Sequence, residues 1–137
     1  MTSKNEAKEA MYLQFQTAWN TTGFPSTFEN DEFTPPDNSP WARLSVRHTA
    51  STQDTLGKVG NRKFARLGST FIQIYTEPNT GTKQSDALVK LIKDAFEGVS
   101  LAGTTVRFND VIDRETGSDG KWYQVVVEAM FEYDETK

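Results

Sequence analysis

The chain has 137 residues, which corresponds to one domain, expected here over residues 1–137; it carries a net charge of −4, contains one histidine and lacks cysteine. The absence of cysteine excludes disulfides, thiolate zinc sites and cysteine nucleophiles, and one histidine excludes multi-histidine metal sites, so we expect no metal and no cofactor. The acidic balance argues against nucleic acid as the main ligand, because that binding rests on neutralising phosphates, and no apolar run is long enough for a signal peptide or a membrane span.

The first predicted element is a helix from about Lys4 to Trp19. Ser3 and Glu6 have the spacing of a capping box, in which each side chain accepts a hydrogen bond from the backbone N–H of the other. Gly23 is a stop signal after the helix. Apolar side chains at helical spacing form one stripe that we expect to pack in the core: Ala7, Ala10, Met11, Phe15, Ala18 and Trp19.

Three segments follow with strand character, separated by one long polar stretch. Residues 26–33 predict a short acidic strand, Trp41–His48 alternates apolar and polar residues, and Gly68–Thr76 is apolar on both faces. Residues 49–63 have few apolar anchors, so we expect a long excursion that is disordered in the free subunit. Its far side is basic, with Lys58, Arg62, Lys63 and Arg66.

A second helix is predicted from about Lys83 to Phe96, followed by a hairpin of two strands, Thr104–Ile112 and Lys121–Tyr133. The turn-rich residues 114–120 connect those strands. Together these elements predict an α+β fold, with a mainly antiparallel sheet of about four to five strands and two helices packed on it. The buried face of the second helix is expected to comprise Leu88, Leu91, Ile92, Ala95 and Phe96.

The last strand is apolar on both faces. We assign one face to the core of the subunit: Tyr123, Val125, Val127, Ala129, Phe131 and Tyr133. The opposite face carries Trp122, Val126 and Met130, interleaved with Gln124, Glu128 and Glu132. A sheet face open to water should be more polar than this. Either the N-terminal helix or another subunit is therefore expected to cover it.

No catalytic motif is recognisable in the sequence. His48 is the one conventional near-neutral base, and no nucleophile motif surrounds it. The acidic groups at 29–32 and 113–119 lack the spacing of a calcium loop and give no sign of a raised carboxyl pKa. We therefore expect a protein that is not an enzyme and that acts by protein–protein contact. The candidate subunit-interface residues are Lys58, Arg62, Lys63, Arg66, Trp122, Val126 and Met130.

The order of several segments resembles a family of phage proteins long labelled as a domain of unknown function. Arg66 and Gly68 open a strand that contains Gln73, and Pro78 and Gly81 precede the second helix. The opening helix, the helix at 86–96 and the ending Trp122-Tyr-Gln-Val-Val-Val fit the same pattern. This family is similar to the tail terminator of long-tailed, non-contractile phages.

The resemblance implies a structural virion protein of the tail, assembled in the host cytoplasm. Tail terminators form a ring, typically hexameric, at the head-proximal end of the tail tube, where the ring ends tube polymerisation and presents a joining surface to the head. The implied partners are other copies of the chain, the tail tube protein and a head-completion protein, with DNA passing through the lumen without specific binding.

Two alternatives remain open from the sequence. One is another tail-tube or head–tail connector component of similar α+β build. The other is a small-molecule-binding module in which Trp19, Trp41 and Trp122 line a pocket.

Overall fold

Two helices and a five-stranded sheet form the predicted α+β fold, with strand order β1-β2-β3-β5-β4. The computed structural model describes residues 2–28, 33–34, 36, 39–77, 82–118 and 121–137. The sheet is antiparallel except for the short β1, which pairs with β2 in parallel. The elements are α1 (Lys4–Trp19), β1 (Ser26–Phe28), β2 (Trp41–Gln53), β3 (Lys63–Thr76), α2 (Lys83–Phe96), β4 (Arg107–Ser118) and β5 (Tyr123–Thr136).

Helix α1 begins and ends where the sequence predicts. The capping box is formed: the backbone N–H of Glu6 donates to Ser3 Oγ at 3.2 Å, and that of Ser3 donates to Glu6 Oε1 at 3.4 Å. The predicted stripe is buried at Ala7, Met11, Phe15 and Trp19. The chain leaves the helix through a short 3-10 turn and through Gly23, whose φ of 75° is the left-handed conformation that favours glycine.

Strands β2 and β3 are longer than predicted, so the expected excursion over residues 49–63 is wrong at both of its ends. Beyond a bulge at Thr49, pairing resumes and continues to Gln53 opposite Phe64. The connecting loop comprises only residues 54–62, and it carries backbone hydrogen bonds of its own, such as Asn61 N–H to the Lys58 carbonyl at 2.9 Å. Main-chain hydrogen bonds hold residues 63–67 to β2 on one side and to β5 on the other, and they hold residues 49–53 to β3. These residues therefore need no regular apolar alternation, which is the pattern by which strands are recognised.

The second hairpin is also longer than predicted. Strand β4 extends to Ser118, through residues assigned from the sequence to a turn, and β5 extends to Thr136. Both additions are polar and lie outside the core. Residues 29–32 of the predicted acidic strand lie outside the described residues, and the strand β1 that is described ends at Phe28.

Both helices pack on the same face of the sheet, which we call the covered face. The Thr70 hydroxyl lies 3.3 Å from Met11 Sδ of α1, and Phe96 of α2 packs edge-on against Phe108 of β4. The β5 side chains on this face are buried as predicted: Val125, Val127, Ala129, Phe131 and Tyr133. Helix α1 therefore does not cover the face that carries Val126 and Met130, which removes the intramolecular explanation for that face.

Gly68 marks a close approach of two strands at the bulge in β2. A Cβ at this position would meet the Arg47 carbonyl oxygen, and would lie 2.7 Å from Phe131 Cζ and 2.9 Å from His48 Cα. The ring of Phe131 thus fills the space that a side chain at residue 68 would need. Only glycine fits here, because the nearest atoms include backbone that cannot move aside.

The burial of Phe131 predicts the cost of removing its ring. Phe131 is 2% exposed and packs against Phe108, His48 and Tyr133. Phe131→Ala should lower the free energy of unfolding by about 3–5 kcal/mol. Val126→Ala, on the opposite face of the same strand, should lower it by about 1 kcal/mol or less, because that side chain is only half-buried in the subunit. Urea unfolding measures both, and equal losses would contradict the assignment of the two faces.

Candidate subunit interface

The structure divides the seven candidate residues between two places. Lys58, Arg62, Lys63 and Arg66 lie at the end of the sheet where β2 meets β3. Trp122, Val126 and Met130 lie at or on the face of the sheet that neither helix contacts, which we call the open face. The two groups therefore do not form one patch within a subunit.

The first place is the end of the β2–β3 hairpin, residues 49–67, which we call the arm. Its β3 half also pairs with β5, so the loop 54–62 at its tip is the part that extends past the paired strands. Every residue from Thr49 to Asn61 is exposed. At its tip, Leu56 is 93% exposed and Val59 is 83% exposed, and the Lys58 side chain lies between them in sequence. Large apolar side chains as exposed as these are otherwise few in the described part of the chain, so the tip is the most conspicuous apolar feature of the surface.

Three of the four basic residues hold the root of the arm to strand β5 and the residue that follows it. Lys63 pairs with Asp134 at 3.5 Å, and Arg66 pairs with Glu135 at 3.1 Å. Arg62 Nε donates to the carbonyl oxygen of Lys137 at 3.0 Å. Lys58, by contrast, makes no ion pair within the described part of the chain. The basic cluster seen in the sequence thus comprises three root residues and one tip residue.

Trp122 is not on the accessible surface of the open face. It is 6% exposed and packs edge-on against Trp41, with ring centroids 6.1 Å apart. Trp41 in turn stacks on Tyr75 at 4.0 Å. The Trp41 indole N–H is buried and has no acceptor among the described residues. This cluster closes one end of the open face and leaves Val126 and Met130 as the accessible candidates.

A groove crosses the open face beside Met130. It has a volume of about 360 Å³, and its lining includes Leu67, Met130, Asp110 and Glu128. Glu128 accepts a hydrogen bond from Ser69 Oγ at 2.8 Å and pairs with Arg114 at 3.0 Å. Asp110 is exposed and makes no ion pair within the described ranges. The groove therefore combines apolar side chains with one free carboxylate.

Sequence reasoning missed the groove because Asp110 reaches it through a bulge. The pairing of β4 with β5 shifts between Phe108 and Val111, so Asn109 and Asp110 together lie opposite Met130 and β4 contains one extra residue. A bulge redirects side chains locally, and no alternation pattern predicts where it falls.

The three tryptophans do not line a common pocket. Trp19 is fully buried in the core on the covered side, where its indole N–H donates to the Pro25 carbonyl at 3.0 Å. Trp41 and Trp122 lie at the opposite face. The pocket required by the small-molecule interpretation is therefore not formed by these residues.

A second recess, of about 350 Å³, lies at the root of the arm and contains the single histidine. Its lining includes Lys4, Arg66 and Lys137. His48 Nε2 and Tyr133 Oη are 2.7 Å apart. Burial lowers the pKa of His48, and the positive charges of Lys4, Lys8 and Arg66 lower it further. Burial raises the pKa of Tyr133. The two rings therefore share a hydrogen bond as neutral groups near pH 7.

Neither a metal site nor a membrane helix was found among the residues that the structure describes. Within those ranges no group of three or more histidine or carboxylate side chains could hold a metal ion. No helix in them is long and apolar enough to cross a bilayer. The open face and the arm remain the features that call for a functional explanation.

The structure is thus an α+β domain with an exposed apolar tip on the arm and a sheet face that neither helix covers. The family model described as phage tail terminator protein matches residues 6–131, so the chain belongs to that family and is a structural component of the phage tail. One solved structure has a similar fold, with a TM-score of 0.58 and 17% sequence identity over 93% of this chain and 94% of the other. No curated protein matches the sequence.

The lowered pKa of His48 predicts how stability depends on pH. In the unfolded chain the pKa returns to about its ordinary 6.5, so the unfolded state binds more protons than the folded state between that value and the lowered one. Stability should therefore be full above pH 6.5 and should decrease as the pH falls through this window. His48→Gln should flatten the decrease that begins as the pH falls below about 6.5, above the range where most carboxyl groups titrate. Thermal melts across this range measure it, and an unchanged slope would contradict the assignment.

Proposed function

We propose that the protein forms a ring at the head-proximal end of the phage tail tube, where it ends tube polymerisation and provides the joining surface for the head. The observation that supports this most is the open face of the sheet. Phe71, Val126 and Met130 are half-buried there without a helix over them. Apolar side chains on an otherwise polar sheet face, with no helix over them, favour contact with another protein subunit.

A ring suits a chain with two unlike contact features. A contact between different surfaces of identical subunits repeats head to tail, and it closes when the rotation divides a full turn. The tip of the arm and the open face of one subunit are different surfaces, as such a contact requires. Membership of the tail terminator family favours a ring of six.

The charge of the subunit suits a conduit for DNA. Each copy carries a net charge of −4, and a ring of such subunits repels a passing DNA duplex rather than binding it. The other partners in this proposal are the tail tube protein on one side and a head-completion protein on the other. Assembly in the host cytoplasm is part of the same proposal.

The direct test is electron microscopy of the purified chain with and without cognate tail tubes. The proposal expects rings capping one end of each tube and no further elongation of capped tubes by free tube protein. Rings that leave elongation unaffected would support a different tail-tube or connector component, and the absence of any ring would overturn the proposal.

Met130→Glu tests whether the open face carries the contact. The side chain is half-buried in the free subunit, so the melting temperature of the subunit should change little. Ring formation should be lost, because each contact would then bury an unpaired carboxylate. Met130→Leu, of similar volume, should retain it.

Sedimentation with tubes and thermal melts of the same preparations measure both effects. A large decrease in the stability of Met130→Glu alone would place Met130 in the core of the subunit and contradict the assignment of the open face.

A further inference from the structure

We infer that the arm of each subunit docks in the groove of the next, with Leu56 entering the groove and Lys58 pairing with Asp110. This inference rests on the proposed function. It adds to that proposal by naming the two surfaces through which neighbouring copies join. The occupant of the groove is therefore a second copy of this chain.

The apolar parts of the two surfaces match. Leu56 is the most exposed large apolar side chain described, at 93%, and it lies in the loop at the tip of the arm. The groove offers Leu67, 36% exposed, and the half-buried Met130. Its volume of about 360 Å³ is ample for one leucine side chain and part of its loop. Covering these side chains removes apolar surface from water on both partners.

The charges of the two surfaces also match. Lys58 lies two residues from Leu56 and makes no ion pair in the described ranges, and the same is true of Asp110 beside the groove. Two other carboxylates on this face already have partners, since Glu128 pairs with Arg114 and Glu132 with Arg107. A cation at the tip and a carboxylate at the groove thus complement each other and select one orientation of docking.

The root of the arm is fixed to the sheet, so the tip is held in a defined position. Ion pairs to Asp134 and Glu135 and the pairing of β3 with β5 hold its root to the sheet. The loop is closed by the hydrogen bond from Asp54 N–H to the Lys63 carbonyl at 2.8 Å, so less ordering is required on docking.

Cysteine cross-linking tests the contact directly, because the natural chain has no cysteine. Leu56→Cys and Met130→Cys chains, each alone, should remain uncross-linked on mild oxidation. Their mixture should give a covalent dimer on non-reducing gels. The double variant should give a ladder of bands that stops at the size of the closed ring.

Cross-linking of Leu56→Cys chains with one another would show that two arms meet, and would overturn the inference. No cross-link in the mixture would also overturn it. If wild-type rings still form on tubes in that case, the proposed function stands and only the assignment of surfaces fails. If the wild type forms no rings, the proposed function fails as well.

Charge reversal provides an independent test that keeps the fold intact. Lys58→Glu and Asp110→Lys should each reduce the yield of dimer in the cross-linking mixture at least several-fold at low salt, because like charges then face each other. Combining the two reversals in one chain should restore the yield. Lys83→Glu, an exposed reversal on α2, is the matched control and should have no effect.

If the arm instead contacts the tube, the reversals should weaken capping of tubes and leave the cross-linking of free subunits unchanged. That result would overturn the assignment of a second copy to the groove.

Discussion

Both helices pack on the same face of the sheet, and this arrangement leaves the other face without cover from the described chain. Side chains of a strand alternate between the two faces, so every strand that contributes to the covered core also presents residues on the other side. With α1 and α2 both used on one face, nothing in the described chain is left to cover Val126 and Met130. These apolar side chains therefore stay half-buried among polar neighbours on the open face.

The sequence predicts an element well where burial in the core requires apolar residues at regular positions. Helix α1 was predicted to the residue because the capping box and the apolar stripe both define it. The faces of β5 were predicted because burial imposes alternation. The ends of β2 and β3 at 49–53 and 63–67 are not predicted, because backbone pairing holds them and their burial does not alternate from residue to residue. The parallel pairing of β1 with β2 is also not predicted, because the sequence of a three-residue strand does not show whether it runs parallel or antiparallel to its neighbour.

The candidate site was predicted less well than the fold, for a related reason. Charge and hydrophobicity in the sequence do not tell which side chains already have partners. Arg66 and Lys63 appeared equivalent to Lys58, but the first two are paired at the root of the arm. Trp122 appeared accessible, but it is buried against Trp41. Asp110 gave no signal, because a bulge in β4 brings it to the groove.

The two ends of the sheet are chemically unlike, and this has a consequence for any rotationally symmetric assembly. The arm end carries Lys4, Arg66 and Lys137, whereas the opposite end carries the aromatic cluster of Trp41, Tyr75 and Trp122. Rotation about a single axis never exchanges the two rims of a ring, so the rims of such an assembly differ in chemistry. Polarity is therefore inherent in the subunit, and an assembly of identical copies can distinguish two different neighbours without any additional domain.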